Sequence, residues 1–241
     1  MSEIQFDHIA IAARCMADAP AVLVGALGGA PTGDGGPSGP YTWGQWRFAG
    51  GGRLEILEPL GADGFLHRFL ATRGPGIHHV TFRVASLDRA CARAVAHGFR
   101  IVGHDASDPD WAEAFLHPKE ALGIVVQLAE SRATNAVPRR PFAAPAGPAD
   151  SAAVTVLGLR LRARSAERAH TLWSAVLQGR RDAAGGGLVY RWPGSPMRIA
   201  VDVDPGADVL HGERSLVGAR SVSLPETPHP ALGTSFRRGA A

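Results

Sequence analysis

The chain has 241 residues, 45% of them hydrophobic and 20% charged, with a formal charge of +3 at pH 7. That length suits one large domain or two to three small ones. No apolar run approaches the roughly 20 residues of a membrane span, and the basic residues form no stripe, so neither membrane nor nucleic acid is an expected partner.

The N-terminus "MSEIQFDHIAIAA" has no basic lead-in and no signal-peptide core. Cys15 and Cys91 form no CxxC pair, and a reducing cytoplasm is the expected location. "FDHIAIAA" at Phe6–Ala13 reads as a strand, and "MADAPAVLVGALGG" as a helical pattern ending in glycine. "GGAPTGDGGPSGP" reads as a flexible connection; without a following Lys-Ser/Thr it is no phosphate loop. In "GPYTWGQWRFAGG", Trp43 and Trp46 alternate with polar neighbours and are expected to line a pocket mouth as substrate-binding residues, with core packing as the alternative. "RLEILEP" at Arg53–Pro59 closes this first unit as a strand.

The sequence then repeats. "HHVTFRVA" at His78–Ala85 parallels "FDHIAIAA", and "SLDRACARAVAHGF" supplies the helix. "IVVQLAE" at Ile124–Glu130 parallels "RLEILEP". His8 to His79 is 79 − 8 = 71 residues, and Glu55 to Gln127 is 127 − 55 = 72. Side chains alternate along a strand, so His8, Ala10 and Ala12 share a face, as do Glu55 and Leu57. A glutamate within "LEILEPL" is costly to bury unless paired or bound to metal. If the two modules pair in one curved sheet, two imidazoles, a carboxylate and an amide oxygen converge as a divalent-metal site.

These stretches resemble the vicinal oxygen chelate superfamily, and within it the methylmalonyl-CoA epimerases and glyoxalase-like proteins. The residues that carry the resemblance are "HIAIAA", "LEILEPLG", "GPGIHHVTFRV", "AFLHPKEALG" and "GIVVQL", between Ile4 and Glu130. The resemblance implies an α+β fold of paired βαβββ modules around a metal site. It implies His8, Glu55, His79 and Gln127 as ligands, with His79 rather than His78 because His79 matches His8. His78 is then expected to shape the turn or to stand behind the ligands. The metal expected is a divalent ion (Zn, Ni, Co, Mn or Fe). The epimerases carry a basic glutamate where Gln127 stands, and an amide cannot act as a base. Weak or absent methylmalonyl-CoA epimerase activity is therefore expected, with Glu55 as the catalytic base that remains or a metal-bound water in its place.

The expected organisation is a two-module domain at 1–131 (modules 4–60 and 76–130), a Pro/Ala-rich linker at 132–150, a degenerate third module at 151–225 and a flexible tail at 226–241. In the third module "VTVLGLRLRA", "SAERAHTLWSAVLQG", "GGLVYRW", "MRIAVDV" and "GARSVSLPE" read as strand, helix and three strands. Leu157 or Gly158 and Val201 stand at its ligand places, so no metal is expected there. The function expected is a metal-dependent lyase or isomerase stabilising an enolate of a small, anionic carbonyl, thioester or hydroxy/keto acid, in a homodimer. The alternatives are an Fe(II) dioxygenase, since His8, His79 and Glu55 are also a two-histidine-one-carboxylate set, and a non-catalytic small-molecule binding or resistance protein.

Overall fold

The computed structural model describes residues 3–131, 154–182, 187–206, 215–219 and 227–238. The expected linker at 132–150 lies outside the described residues. In chain order the elements begin with β1 (Ile4–Ala12), β2 (Ala30–Ser38), β3 (Tyr41–Arg47), β4 (Arg53–Pro59) and helix α1 (Phe65–Arg73). Then come β5 (Gly76–Val84), α2 (Leu87–Ala96), β6 (Ile101–Asp105), β7 (Trp111–Leu116) and β8 (Val125–Ser131). The third set is β9 (Thr155–Ala163), α3 (Ala166–His170), β10 (Arg180–Arg181), β11 (Leu188–Arg191) and β12 (Arg198–Val203), followed by β13 (Ser215–Ala219) and β14 (Ser235–Arg238). Strand, helix and three strands thus recur, in a mixed α+β architecture of one eight-stranded and one six-stranded sheet.

The register confirms the repeat. The first-module run is β2-β3-β4-β1, with β1 parallel to β4 and Ala10 opposite Glu55. The second is β6-β7-β8-β5, with β5 parallel to β8 and Thr81 opposite Gln127. The pairs Ala10/Glu55 and Thr81/Gln127 keep the offsets read from the sequence. A second repeat links the first and third sets. Gly29 N–H bonds Leu23 O at 2.7 Å, and Gly179 N–H bonds Trp173 O at 2.8 Å. Both spacings are 150 residues (179 − 29 and 173 − 23). Each glycine lies under an aromatic ring, Phe48 or Trp192, so close that a Cβ would collide with it.

By contacts the chain forms two compact units, each assembled from separated segments. One comprises 1–7, 79–140 and 159–213. Its core stacks Phe6 on Phe82 (centroids 4.8 Å apart) and sets Trp192 against Phe82 (4.7 Å) and Trp173 (6.4 Å). Each such ring pair adds about 0.5–1.5 kcal/mol beyond area burial. Ser86 and Ser165 N-cap α2 and α3, accepting from Arg89 N–H and Arg168 N–H. Arg168 then donates to the carbonyls of His97 and Gly98 at the C-terminal end of α2, where a cation suits the helix dipole. Its guanidinium lies 3.7 Å from the Phe99 ring centroid. The third set is therefore packed onto the second module, with buried Leu157 and Val201 at the places where the other modules carry polar residues.

The other unit comprises 8–78, 141–158 and 214–241. Here the structure refines one expectation and corrects two. The helical pattern after β1 is present, divided into a 3₁₀ helix at Met16–Asp18 and a π-helix at Ala21–Ala26. Pro20 separates them; it has no N–H to carry one helix through. The glycine-rich "connection" is strand β2, whose register shifts between Pro31 and Gly35. It lies at the end of its sheet, where prolines cost no ladder bond. The "flexible tail" carries β14, parallel to β13, and buries Leu232 and Thr234, because its apolar residues reach the turn before β5. Of the strand expected at "GARSVSLPE", Gly218 and Ala219 belong to β13, and 220–226 lie outside the described residues.

Gly233 shows how tightly that segment is seated. Its φ is +56°, its N–H bonds His229 O at 2.6 Å, and a Cβ there would overlap the Pro75 carbonyl. Gly61 has a similar φ, +73°, with nothing near. Gly61→Ala is expected to cost only the backbone strain, about 1 kcal/mol. Gly233→Ala adds a backbone clash and is expected to cost about 3 kcal/mol or more. Paired thermal melts check this; equal melting temperatures would show the segment to be undocked.

Candidate metal centre

Three of the four expected ligands come together. Ligand atoms of His8, Glu55 and His79 all lie within 4.8 Å of one another, and all three residues are buried. A carboxylate and two imidazoles at low exposure have the donor chemistry of a divalent-metal site. Strand geometry explains their placement. β4 turns Glu55 onto the face shared by Ala10 and Ala12, and His8 lies two residues before Ala10 on β1. His8 Nε2 stands 3.5 Å from Glu55 Oε2.

Gln45 on β3 lies directly opposite Glu55, and its Nε2 donates to Glu55 Oε2 at 2.7 Å. Arg53 donates to Gln45 Oε1 at 3.4 Å, which fixes the amide with its nitrogen toward the carboxylate. Gln45 thereby braces Glu55.

The second module mirrors this with the polarity reversed. Gln127, 8% exposed, carries the amide on the last strand, and the carboxylate comes from β7 as Glu113. Gln127 Nε2 donates to Glu113 Oε2 at 2.7 Å, and the Thr81 hydroxyl donates to Gln127 Oε1 at 2.6 Å. Trp111 Nε1 adds a second donor to Glu113 Oε2 at 2.9 Å. Thr81 follows His79 by two residues on β5, so His79 and the Gln127 oxygen belong to one face. Glu113 and Thr81 were absent from the sequence reading. Glu113 was detectable only through the β7–β8 register, which brings Phe115 opposite Gln127 and leaves Glu113 diagonal to it.

The two tryptophans divide. Trp43 lies opposite Leu57 on the face of Glu55 and packs against Ala10, Ala12, Leu57, Leu66 and Leu70. Trp46 pairs with Leu54 and is 6% exposed. An odd spacing of three sends it through the sheet to the face opposite Trp43, where it is buried. His78 packs its ring against Phe65 and Phe69 of α1, at 5.4 and 5.0 Å between centroids.

No helix among the described residues is long and apolar enough to cross a membrane. Residues 7–115 match the family model described as Glyoxalase/Bleomycin resistance protein/Dioxygenase superfamily. The chain is 30% identical over 86 residues to YqjC of Bacillus subtilis (strain 168), covering 35% of this chain and 61% of that protein. It is 29% identical over 85 residues to the mitochondrial methylmalonyl-CoA epimerase of Bos taurus, covering 34% and 49%. It thus spans about half to three fifths of these relatives' lengths. A mutant 4-hydroxymandelate synthase from Streptomyces coelicolor superposes with a TM-score of 0.62 over 91% of this chain and 72% of that one, at 14% identity, a likeness of fold. The epimerase of Mycobacterium tuberculosis is 26% identical with a TM-score of 0.48, covering 52% and 87%. The repeated modules and the matched segment agree in likening residues 7–115 to the glyoxalase/bleomycin resistance protein/dioxygenase superfamily.

Proposed function

We propose that the chain is a metal-dependent lyase or isomerase acting on a small, anionic carbonyl compound, thioester or hydroxy/keto acid. The observation that carries this reading is the buried His8–Glu55–His79 group. These three residues, with Gln127 as a fourth, are the proposed ligands. A divalent cation bound there supplies Lewis-acid stabilisation of the charge that develops on a carbonyl oxygen when a neighbouring C–H loses its proton.

The chain's own residues supply the rest. His8 and His79 bind as neutral imidazoles, so proton competition weakens the site as pH falls. Glu55 is the proposed proton acceptor, and Gln45 holds its Oε2 in place. Trp43, half-buried on the same face, is the proposed apolar contact for the substrate. The same reading takes 1–131 as the functional domain, 151–225 as a module without ligands that buttresses it, and the protein as a cytoplasmic homodimer. The relatives named as methylmalonyl-CoA epimerases support the reaction class.

The two-histidine-one-carboxylate set favours one other reading, an Fe(II)-dependent dioxygenase. Elemental analysis of protein purified without added metal separates the readings, followed by two assays. Solvent-deuterium exchange at the α-carbon of thioesters and keto acids supports the isomerase. Oxygen consumption by Fe(II)-loaded protein supports the oxygenase. A chelator is expected to lower the melting temperature, since metal bound only to the folded state stabilises it by about 2.7 kcal/mol at 100 times Kd. Protein that takes up no divalent metal at millimolar concentration refutes both and leaves a small-molecule binding role.

A further inference from the structure

Each module joins one glutamine and one glutamate by a 2.7 Å hydrogen bond, but the roles are exchanged. In the first module the last strand presents the carboxylate and the amide braces it. In the second the last strand presents the amide and the carboxylate is behind it. We propose that Glu113 is a positioning residue that turns the Gln127 amide oxygen into a metal ligand. The inference rests on the proposed metal-dependent function.

An ionised carboxylate only accepts, so the partner atom of Gln127 that faces Glu113 is its NH₂ group. The hydroxyl of Thr81 donates to the opposite end, Oε1. Together they remove the ambiguity that an isolated amide has. Oε1 keeps a second lone pair after accepting from Thr81. That oxygen lies on the face of β8 and β5 that carries His79.

Electrostatics points the same way. A hydrogen bond from an amide N–H to a carboxylate is roughly twice as strong as a neutral one. It polarises the amide, drawing negative charge onto the carbonyl oxygen and making it a better donor to a cation. Trp111 Nε1 holds Glu113 Oε2 from the other side, so the carboxylate is itself fixed. Outer groups of this kind typically change metal affinity by about 10–100-fold.

The test is a Co(II) titration of the metal-free full-length protein, followed by calorimetry and by the visible absorption of bound Co(II), which reports the ligand set. Glu113→Gln is expected to weaken Co(II) binding by about 10–100-fold and to shift the spectrum toward that of Gln127→Ala. In a Gln127→Ala background the same substitution is expected to have no further effect. A merely structural role for Glu113 predicts an equal loss in both backgrounds. The exchanged pair, Glu113→Gln with Gln127→Glu, restores one amide and one carboxylate and is expected to recover binding; melting of each metal-free variant reports its folding. Wild-type affinity and spectrum in Glu113→Gln overturn the proposal, as does an undiminished effect in Gln127→Ala. If the wild type takes up no Co(II), the metal-dependent function itself falls. If the wild type binds, His8→Ala does not, and Glu113→Gln binds normally, only the role of Glu113 falls.

Discussion

His79→Ala protein is expected to lose divalent-metal binding by about 10²–10³-fold. Site affinities of about 10–16 kcal/mol shared over the four proposed ligands amount to about 2.5–4 kcal/mol each. The neighbouring substitution His78→Ala is the informative control. His78 packs tilted against Phe65 and edge-on against Phe69, so its loss is expected to leave metal affinity unchanged and to cost about 1 kcal/mol of stability. Calorimetric titration with Zn(II) or Co(II), alongside thermal melts in chelator, reads both quantities. Equal affinity in the wild type and His79→Ala would remove His79 from the site, however close its ring nitrogens lie to Glu55.

The second large effect concerns proton transfer. Restoring a carboxylate on the last strand by Gln127→Glu is the obvious way to recover an epimerase-like base. Beside Glu113 it is expected to fail, because two carboxylates would then face each other where an N–H···O bond of 2.7 Å now stands. Like charges so close cannot both ionise at low cost. The exchanged pair Gln127→Glu/Glu113→Gln relieves the clash and is expected to raise α-proton exchange by about 10²–10⁴-fold over wild type, the usual contribution of a general base. Solvent-deuterium incorporation into a thioester substrate measures it. A gain in the single variant as large as in the pair would show that Glu113 does not constrain position 127.

The modules could be read from the sequence because the signal is local twice over. A histidine opening an apolar strand is one pattern, a glutamate inside another is a second, and their 71- and 72-residue spacings tie them. Side-chain alternation then placed His8 with Ala10 and Ala12, and packing of those alanines with Leu57 agrees. The same alternation, applied to Trp43 and Trp46, would have separated them; three residues apart on a strand is always opposite faces. Other features have no local signal. Glu113 matters only through pairing between β7 and β8, and nothing in "WAEAFL" announces it. β2 is written in glycine and proline, residues that ordinarily argue against a strand, and it exists because β3 pairs with it. The segment at 227–238 depends on a partner turn at Gly74–Gly76, remote in sequence and near in space.

That remote docking has a consequence for how the protein is made. The unit built on 8–78 also draws on 214–241, so its segments are translated far apart in time. Chains generally fold domain by domain as they emerge from the ribosome. Here the first module leaves the ribosome well before the strand pair β13–β14 that completes its unit, and must wait in an unfinished form. Its long-range closures also carry the loop entropy that slows folding of β-rich chains. A nascent chain arrested before residue 214 should accordingly remain protease-sensitive within 8–78, and become resistant only on release of the whole polypeptide.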